Sequence, residues 1–196
     1  MSVTKSLGTA FVVALASAPL GCASQSTAFH HMSAADHEAA ARTTTDSTLA
    51  EEHADAAKRL RDEERTACYG VADADRDMGP FGRADSVTGV EVVRDRGVFP
   101  KGPLEPVGVS VYLRADSGMT QQWLGRIVAC HLAHVAVMGQ PAHPSPLAVP
   151  NAEVTVSSTQ VGFRVTITSR DREIARDVVE QGRQLASASP ATIAWY

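Results

Sequence analysis

The order of hydrophobic patterns along the chain predicts an α+β fold: N-terminal helices followed by a ββα–ββα two-layer sandwich around a four-stranded antiparallel sheet. Three observations carry this. Four short segments alternate apolar with polar residues, which marks half-buried strands. Two longer segments repeat apolar residues every three to four positions, which marks helices. The two kinds of segment occur in the same order twice, and strand, strand, helix repeated is a circular permutation of the ferredoxin-like βαββαβ arrangement.

Bulk composition agrees with a globular chain. The 196 residues are 44% hydrophobic and 20% charged, with a formal net charge of −4, enough for one core plus appendages. Near-balanced charge lacks the clustered basic surface that nucleic acid requires, so no nucleic-acid partner is expected. An aromatic content of 5% argues against a stacking platform for bases or sugars.

Residues 1–21 read as a signal peptide. Lys5 gives a positive start, and the apolar run Phe11-Val-Val-Ala-Leu-Ala16 is too short to span a bilayer. It leads into Ala18-Pro-Leu-Gly-Cys22, where a small residue directly before cysteine matches the bacterial lipoprotein signal. Pro19 and Leu20 depart from the aliphatic and small residues that pattern prefers. Cleavage after Ala18 is the competing reading, and it leaves Pro19 as an unfavourable first residue. Lipidation at Cys22 is the expectation, with acyl chains of the palmitate type holding the protein to a membrane at about 0.8 kcal/mol per buried methylene. Ala23 is not an acidic inner-membrane retention signal, so the cell envelope is the expected location and its outer membrane the expected anchor. With Cys22 acylated, Cys68 and Cys130 remain in an oxidising compartment. A bridge between them closes a long loop, worth about 4 kcal/mol on the chain-entropy model; two buried thiols are the alternative.

Residues 22–47 read as a tether and a short histidine-rich helical segment. Phe29-His-His-Met-Ser-Ala-Ala-Asp-His37 offers His30, His31 and His37 to zinc or copper, while a solvated linker is the plainer reading. Ser33 with Asp36 makes a capping-box start for a helix through Ala41. A firmer amphipathic helix fills residues 48–70, with Thr48 and Glu51 as its cap, Gly70 at its end, and opposite charges four apart at Asp55–Arg59, Lys58–Asp62 and Arg59–Glu63. Its inner stripe of Leu49, His53, Ala56, Ala57, Leu60 and Ala67 buries little area, so the helix must lie against another element. Asp73, Asp75 and Asp77 alternate as at the start of an EF-hand loop. Met78 and Ala84 stand where glycine and a bidentate glutamate are needed, so a solvated turn is expected.

Residues 84–187 carry the α+β domain. Its strands are Val87–Val93, Val107–Leu113, Glu153–Ser157 and Phe163–Thr168. Alternation sets Val109, Val111, Leu113, Val154, Val156, Phe163, Val165 and Ile167 on one face, with Ser110, Tyr112, Arg114, Arg164, Thr166 and Thr168 on a wet opposite face. The helix Thr120–Met138 turns Trp123, Leu124, Ile127, Val128, Val135 and Met138 into one apolar stripe that also contains His131 and His134. The helix Asp171–Ala186 has the clearest amphipathic pattern, with Ile174, Ala175, Val178, Val179, Leu185 and Ala186 on one side. Residues 188–196 form a tail ending in Trp195 and Tyr196.

The segments His31-Met-Ser-Ala-Ala-Asp-His-Glu38, Ala67-Cys68, Asp75-Arg-Asp-Met-Gly-Pro-Phe81, Leu113-Arg-Ala115, Trp123-Leu124, Cys130-His-Leu-Ala133 and Thr155-Val-Ser-Ser158 are similar to uncharacterised myxobacterial-type envelope lipoproteins. The likeness extends over most of the mature chain. It implies an exported lipoprotein and supplies no catalytic residue. Those sequences carry a further cysteine before Pro-Leu, where this chain has Ser145, so a metal or disulfide role at that place does not transfer.

Three function classes are set against one another. A membrane-tethered, non-enzymatic binding or structural module, with an envelope protein as its partner, fits the lipid signal, the small sandwich and the proline-rich loop Gln140–Pro150. A zinc- or copper-binding protein is the second class: Cys130 and His134 lie four apart on one helix with His131 beside them and His143 beyond. A Cys68–Cys130 bridge removes that thiolate, and a histidine in an apolar stripe is more often a hydrogen-bonded core residue. A hydrolase is the least supported, because no Gly-x-Ser-x-Gly elbow, phosphate cradle or dinucleotide fingerprint is present.

Overall fold

The structure is a computed structural model and describes residues 32–96, 102–139 and 145–189. The signal segment, Cys22, His30, His31, His143 and the last seven residues lie outside the described residues. From Met32 onward the chain forms one compact unit.

Helix α1 (Ala34–Thr43) begins with the expected capping box. The Asp36 amide donates to the Ser33 hydroxyl oxygen, and the Ser33 amide donates to the Asp36 carboxylate, both at 3.1 Å. The Ser33 hydroxyl also donates to that carboxylate, and these bonds hold Asp36 below its usual pKa. Helix α2 (Ser47–Ala67) is capped by Asp46, two residues earlier than the cap at Thr48 expected from sequence. The Asp46 carboxylate accepts the amides of Thr48 and Leu49 at 2.9 and 3.2 Å. A carboxylate there takes two otherwise orphaned N–H groups and faces the positive end of the helix dipole. Lys58 and Asp62 pair at 2.7 Å, and Arg61 reaches Glu38 of α1 at 2.6 Å, tying the helical hairpin together. Gly70, at φ +74°, turns the chain after α2.

The stretch Asp73–Asp77, expected as a solvated turn, is instead a short helix, α3 (Asp73–Met78). Asp73 and Asp75 fall in its first turn, where the dipole favours negative charge.

The sheet comprises β1 (Val87–Asp95), β2 (Glu105–Arg114), β3 (Glu153–Ser158) and β4 (Gly162–Thr168), all antiparallel, in the order β1-β2-β4-β3. Strands β2 and β3 therefore run parallel with β4 between them, the arrangement expected of a permuted ferredoxin-like sheet. Register pairs Val109 with Ile167, Val111 with Val165 and Leu113 with Phe163, and on the far side of β4 Val154 with Ile167 and Val156 with Val165. The apolar face is thus the one alternation defines. In β1 a register shift between Val87 and Gly89 lets two residues three apart, Val87 and Val90, both point into the core. On the opposite face the polar side chains bind one another: Tyr112 donates to Glu91 at 2.7 Å, and the hydroxyls of Ser110 and Thr166 lie 3.0 Å apart.

Helix α5 (Arg172–Ala188) packs on β1 and β2 through Ala175, Val178, Val179, Gly182, Leu185 and Ala186. Gly182 marks the closest approach, since a Cβ there would stand 2.7 Å from Cγ1 of Val109. Helix α4 (Gln121–Met138) packs toward β3. Its first residue is stitched to that strand, with the Gln121 amide donating to the Val156 carbonyl and its oxygen accepting the Ser158 hydroxyl, both at 3.0 Å. The other side of α4 is covered by α1 and α2. There Val137 joins Ala34, Ala57 and Leu60 in a small second core, and Cys130 is bonded to Cys68 just past the end of α2. The expected sandwich therefore gains a third layer on the α4 side. This extra layer also shifts the expected stripe of α4: Val137 is buried, whereas Trp123 and Met138, expected inside, are 39% and 66% exposed.

Candidate functional site

Three clusters of chemistry-bearing side chains surround α4. The first is a cleft of about 370 Å³ between α3, the loop entering β1 and the β2–α4 loop. Leu124 and Ile127 form its buried floor, and Trp123, Met78 and Met119 its apolar walls. An ion pair between Arg83 and Asp116, 3.2 Å long, spans the rim, with Asp75 nearby. Apolar walls with a few oriented charges are the usual makeup of a small-ligand pocket.

The second cluster follows Cys130 along α4. Cys130 and Cys68 form a disulfide of 2.03 Å across a sequence separation of 62. The expected metal set of Cys130, His131 and His134 is therefore not assembled, because the sulfur is already bonded and each imidazole faces different groups. His131 is buried. Its Nδ1 points to the Arg76 carbonyl at 3.5 Å and its Nε2 to the Ser145 hydroxyl at 3.4 Å. One donor and one acceptor satisfy a neutral ring, and burial away from water pushes His131 below the ordinary histidine pKa. Gly79 makes room for it: at φ +61°, a Cβ there would come within 2.5 Å of the imidazole Nδ1. His134 sits between two carboxylates. Its Nδ1 is 2.6 Å from Glu64 of α2 and its Nε2 is 3.6 Å from Asp77 of α3. The bridge, the buried ring and the carboxylate-flanked ring together fasten α2, α3 and α4 to one another.

The third cluster lies in the α1–α2 seam. The Nδ1 atoms of His37 and His53 are 2.9 Å apart, with ring centroids at 5.1 Å and planes tilted by 50°. Both histidines are buried. Among the described metal candidates read from sequence, His37 is the one that meets another imidazole here, and its companion is a residue that periodicity assigns to packing. Among the described residues, no group of three or more His, Cys, Asp or Glu side chains is placed to hold a metal ion.

Sequence reasoning misses Glu64 altogether, weighs Asp77 only as part of an EF-hand-like loop and Ser145 only as the place of a family cysteine, and pairs none of them with a histidine. Their partners lie 70, 57 and 14 residues away, and no periodicity links such positions. The cleft was equally invisible, although Asp75 and Met78 belonged to the EF-hand-like stretch. No family model, curated protein or solved structure matches this chain. Among the described residues, no helix is long and apolar enough to cross a membrane.

Proposed function

We propose that this chain is an exported lipoprotein, tethered to the cell envelope through Cys22, and that it acts there as a non-enzymatic binding module whose ligand surface is the α3–α4 cleft. The observation that carries this reading is Trp123. Helix α4 is packed against the sheet on one side and against α1–α2 on the other, yet it leaves this large ring 39% exposed beside Met78, itself 43% exposed. Partly exposed, the two side chains each forgo a part of the roughly 1.5–3 kcal/mol that full burial of such a side chain contributes, and tryptophan and arginine are the residues that most often dominate binding surfaces. Arg83 and Asp116 at the rim give such a surface polar handles that orient what it holds.

Two further observations support the reading. A buried disulfide suits an oxidising, extracytoplasmic compartment. The Ser145–His131 pair, the nearest thing to a nucleophile and base, is buried on both sides of its contact, which suits a structural bond rather than attack on a substrate.

The test uses the full chain expressed in a bacterial envelope. Metabolic labelling with a palmitate analogue is expected to mark the wild type and to be lost in Cys22→Ser. A photo-cross-linking residue at Met78 is expected to give a discrete adduct that the same residue at Val161, 83% exposed and outside the cleft, does not. Equal patterns from the two positions would refute the cleft, and acyl-free protein beginning at Pro19 would refute the anchor.

A further inference from the structure

We propose that the free edge of β3 is the contact through which two copies of this chain pair, antiparallel about Thr155, into one continuous sheet. This goes beyond the binding-module reading and concerns a different face of the molecule. The order β1-β2-β4-β3 leaves β1 and β3 as edges, and the two are unlike. Strand β1 carries register shifts, and bulges of that kind blunt an edge against further pairing. Strand β3 pairs with β4 without a shift along its 6 residues and contains neither proline nor lysine. Its hairpin closes with the Thr159 amide donating to the Gly162 carbonyl at 2.8 Å. Counting back from that bonded pair, the alternation of an antiparallel ladder turns the N–H and C=O groups of Val154 and Val156 away from β4. One of these groups already has a side-chain partner: the Gln121 amide donates to the Val156 carbonyl at 3.0 Å, much as the N–H of another strand would. That oxygen keeps a second lone pair for a further donor.

Pairing about Thr155 sets Val154 opposite Val156 of the second copy, so their outward groups exchange hydrogen bonds, and Thr155 opposite its own copy. The charges then match. Glu153 falls opposite Ser157 of the second copy, and Arg164 already leans over Ser157, its Nε donating to that hydroxyl at 3.4 Å. Among the described residues neither Glu153 nor Arg164 has an ion-pair partner. Two symmetric Glu153–Arg164 pairs therefore span the dyad. The neighbouring register, with Val154 opposite itself, instead brings the two Glu153 carboxylates to diagonal positions, where like charges repel. The helical face agrees. A groove of about 370 Å³ runs between α4 and β3, lined by Gly125, Ala129 and Leu132 on the helix and by the half-buried Val154 and Val156 on the strand. No described residue of α1 or α2 lines it, so the layer beyond α4 leaves this edge open. A dyad perpendicular to the sheet keeps both helical layers on one side, and the valines of the second copy extend the apolar floor of the groove.

The experiment uses the full-length chain, first in an oxidising bacterial envelope and then purified for sedimentation. A residue opposite its own copy in a non-hydrogen-bonded antiparallel pair has its Cα about 4.5 Å from the other, within reach of a disulfide. Thr155→Cys is therefore expected to run as a covalent dimer on non-reducing gels. Ser157→Cys, which faces Glu153 of the second copy and not itself, is expected to stay monomeric there. Sedimentation of the wild type should show a concentration-dependent dimer. Glu153→Arg and Arg164→Glu should each weaken it about tenfold, because two attractive pairs become repulsive. The double variant Glu153→Arg/Arg164→Glu should regain wild-type affinity, a rescue that damage to the fold does not give. A wild type that sediments as a monomer at every concentration, with Thr155→Cys left uncross-linked, would overturn the proposal. So would cross-linking through Ser157→Cys in place of Thr155→Cys, or a dimer that both charge reversals leave unchanged. Should a charge reversal disturb folding, the two cysteine variants decide the matter alone.

Discussion

Helices α4 and α5 have nearly the same length, 18 and 17 residues, and lie over the same sheet, yet their sequences look unlike each other. Helix α5 puts Ala175, Val178, Val179, Leu185 and Ala186 on the sheet and leaves Arg172, Glu173, Arg176, Asp177, Glu180 and Arg183 in solvent. Helix α4 carries a single charged residue, Arg126, which donates to the carbonyl of Tyr69 at 2.7 Å. The difference follows from the number of neighbours. A helix with one buried side shows a narrow apolar stripe, whereas a helix covered on two sides loses the contrast that makes a stripe visible. The contrast also divides the molecule: α5 serves the sheet core alone, and α4 serves both the sheet core and the small core against α1 and α2.

The largest expected effect comes from separating α4 from its outer layer. Replacing Cys68 and Cys130 together by alanine should lower stability by about 4 kcal/mol on the chain-entropy model, read as a fall in the urea midpoint. Limited proteolysis should then cut α1–α2 before the sheet. Next is a substitution at the α5–sheet contact. Gly182→Leu drives a side chain into Val109 and should cost about 1–3 kcal/mol by overpacking. It should loosen the sheet, which the cysteine variant should not.

Acid is a milder lever, and it acts on the α4 side. His131 has a folded-state pKa below its unfolded value of 6.5 because burial disfavours the charged ring. Below about pH 6.5 the unfolded chain therefore takes up this proton more readily than the folded one, and stability falls as pH falls toward and through the folded pKa. Urea midpoints at pH 7.5 and 5.5 should differ by less in His131→Gln than in the wild type. Gly125 on α4 has open space where a Cβ would be. Gly125→Ala should therefore raise stability by about 0.5–1 kcal/mol, the helix preference of alanine over glycine, with the sign opposite to that of Gly182→Leu. Smallest of all, Lys58→Ala removes an exposed ion pair and should shift stability by no more than about 0.5 kcal/mol.

The same comparison explains how much of the fold was legible. Strands show themselves by a period of two, and α5 by its single stripe, so the sheet face and the order of elements follow from local pattern. The burial of Val137 does not, because it packs against Ala34, Ala57 and Leu60, which lie 77 to 103 residues earlier in the chain. Phase in β1 was obscured by the register shift after Val87, which a strict alternation does not contain. Of the candidate site residues, Cys68 and Cys130 were legible by counting cysteines, since few pairings exist. The environments of His131 and His134 were not, because Arg76, Ser145, Glu64 and Asp77 carry no common motif. Nor was the meeting of His37 with His53, which requires two helices to fold back on each other at one register.

Hydrogen exchange followed by mass spectrometry tests most directly the claim that α4 is the shared middle layer. In oxidised protein the amides of residues 124–137 should exchange as slowly as those of β2 and β4, and reduction of Cys68–Cys130 should speed α1 and α2 while the sheet keeps its protection. If α4 instead exchanges together with α1 and α2 and well ahead of the sheet in the oxidised protein, it does not join the two cores, and the account is contradicted.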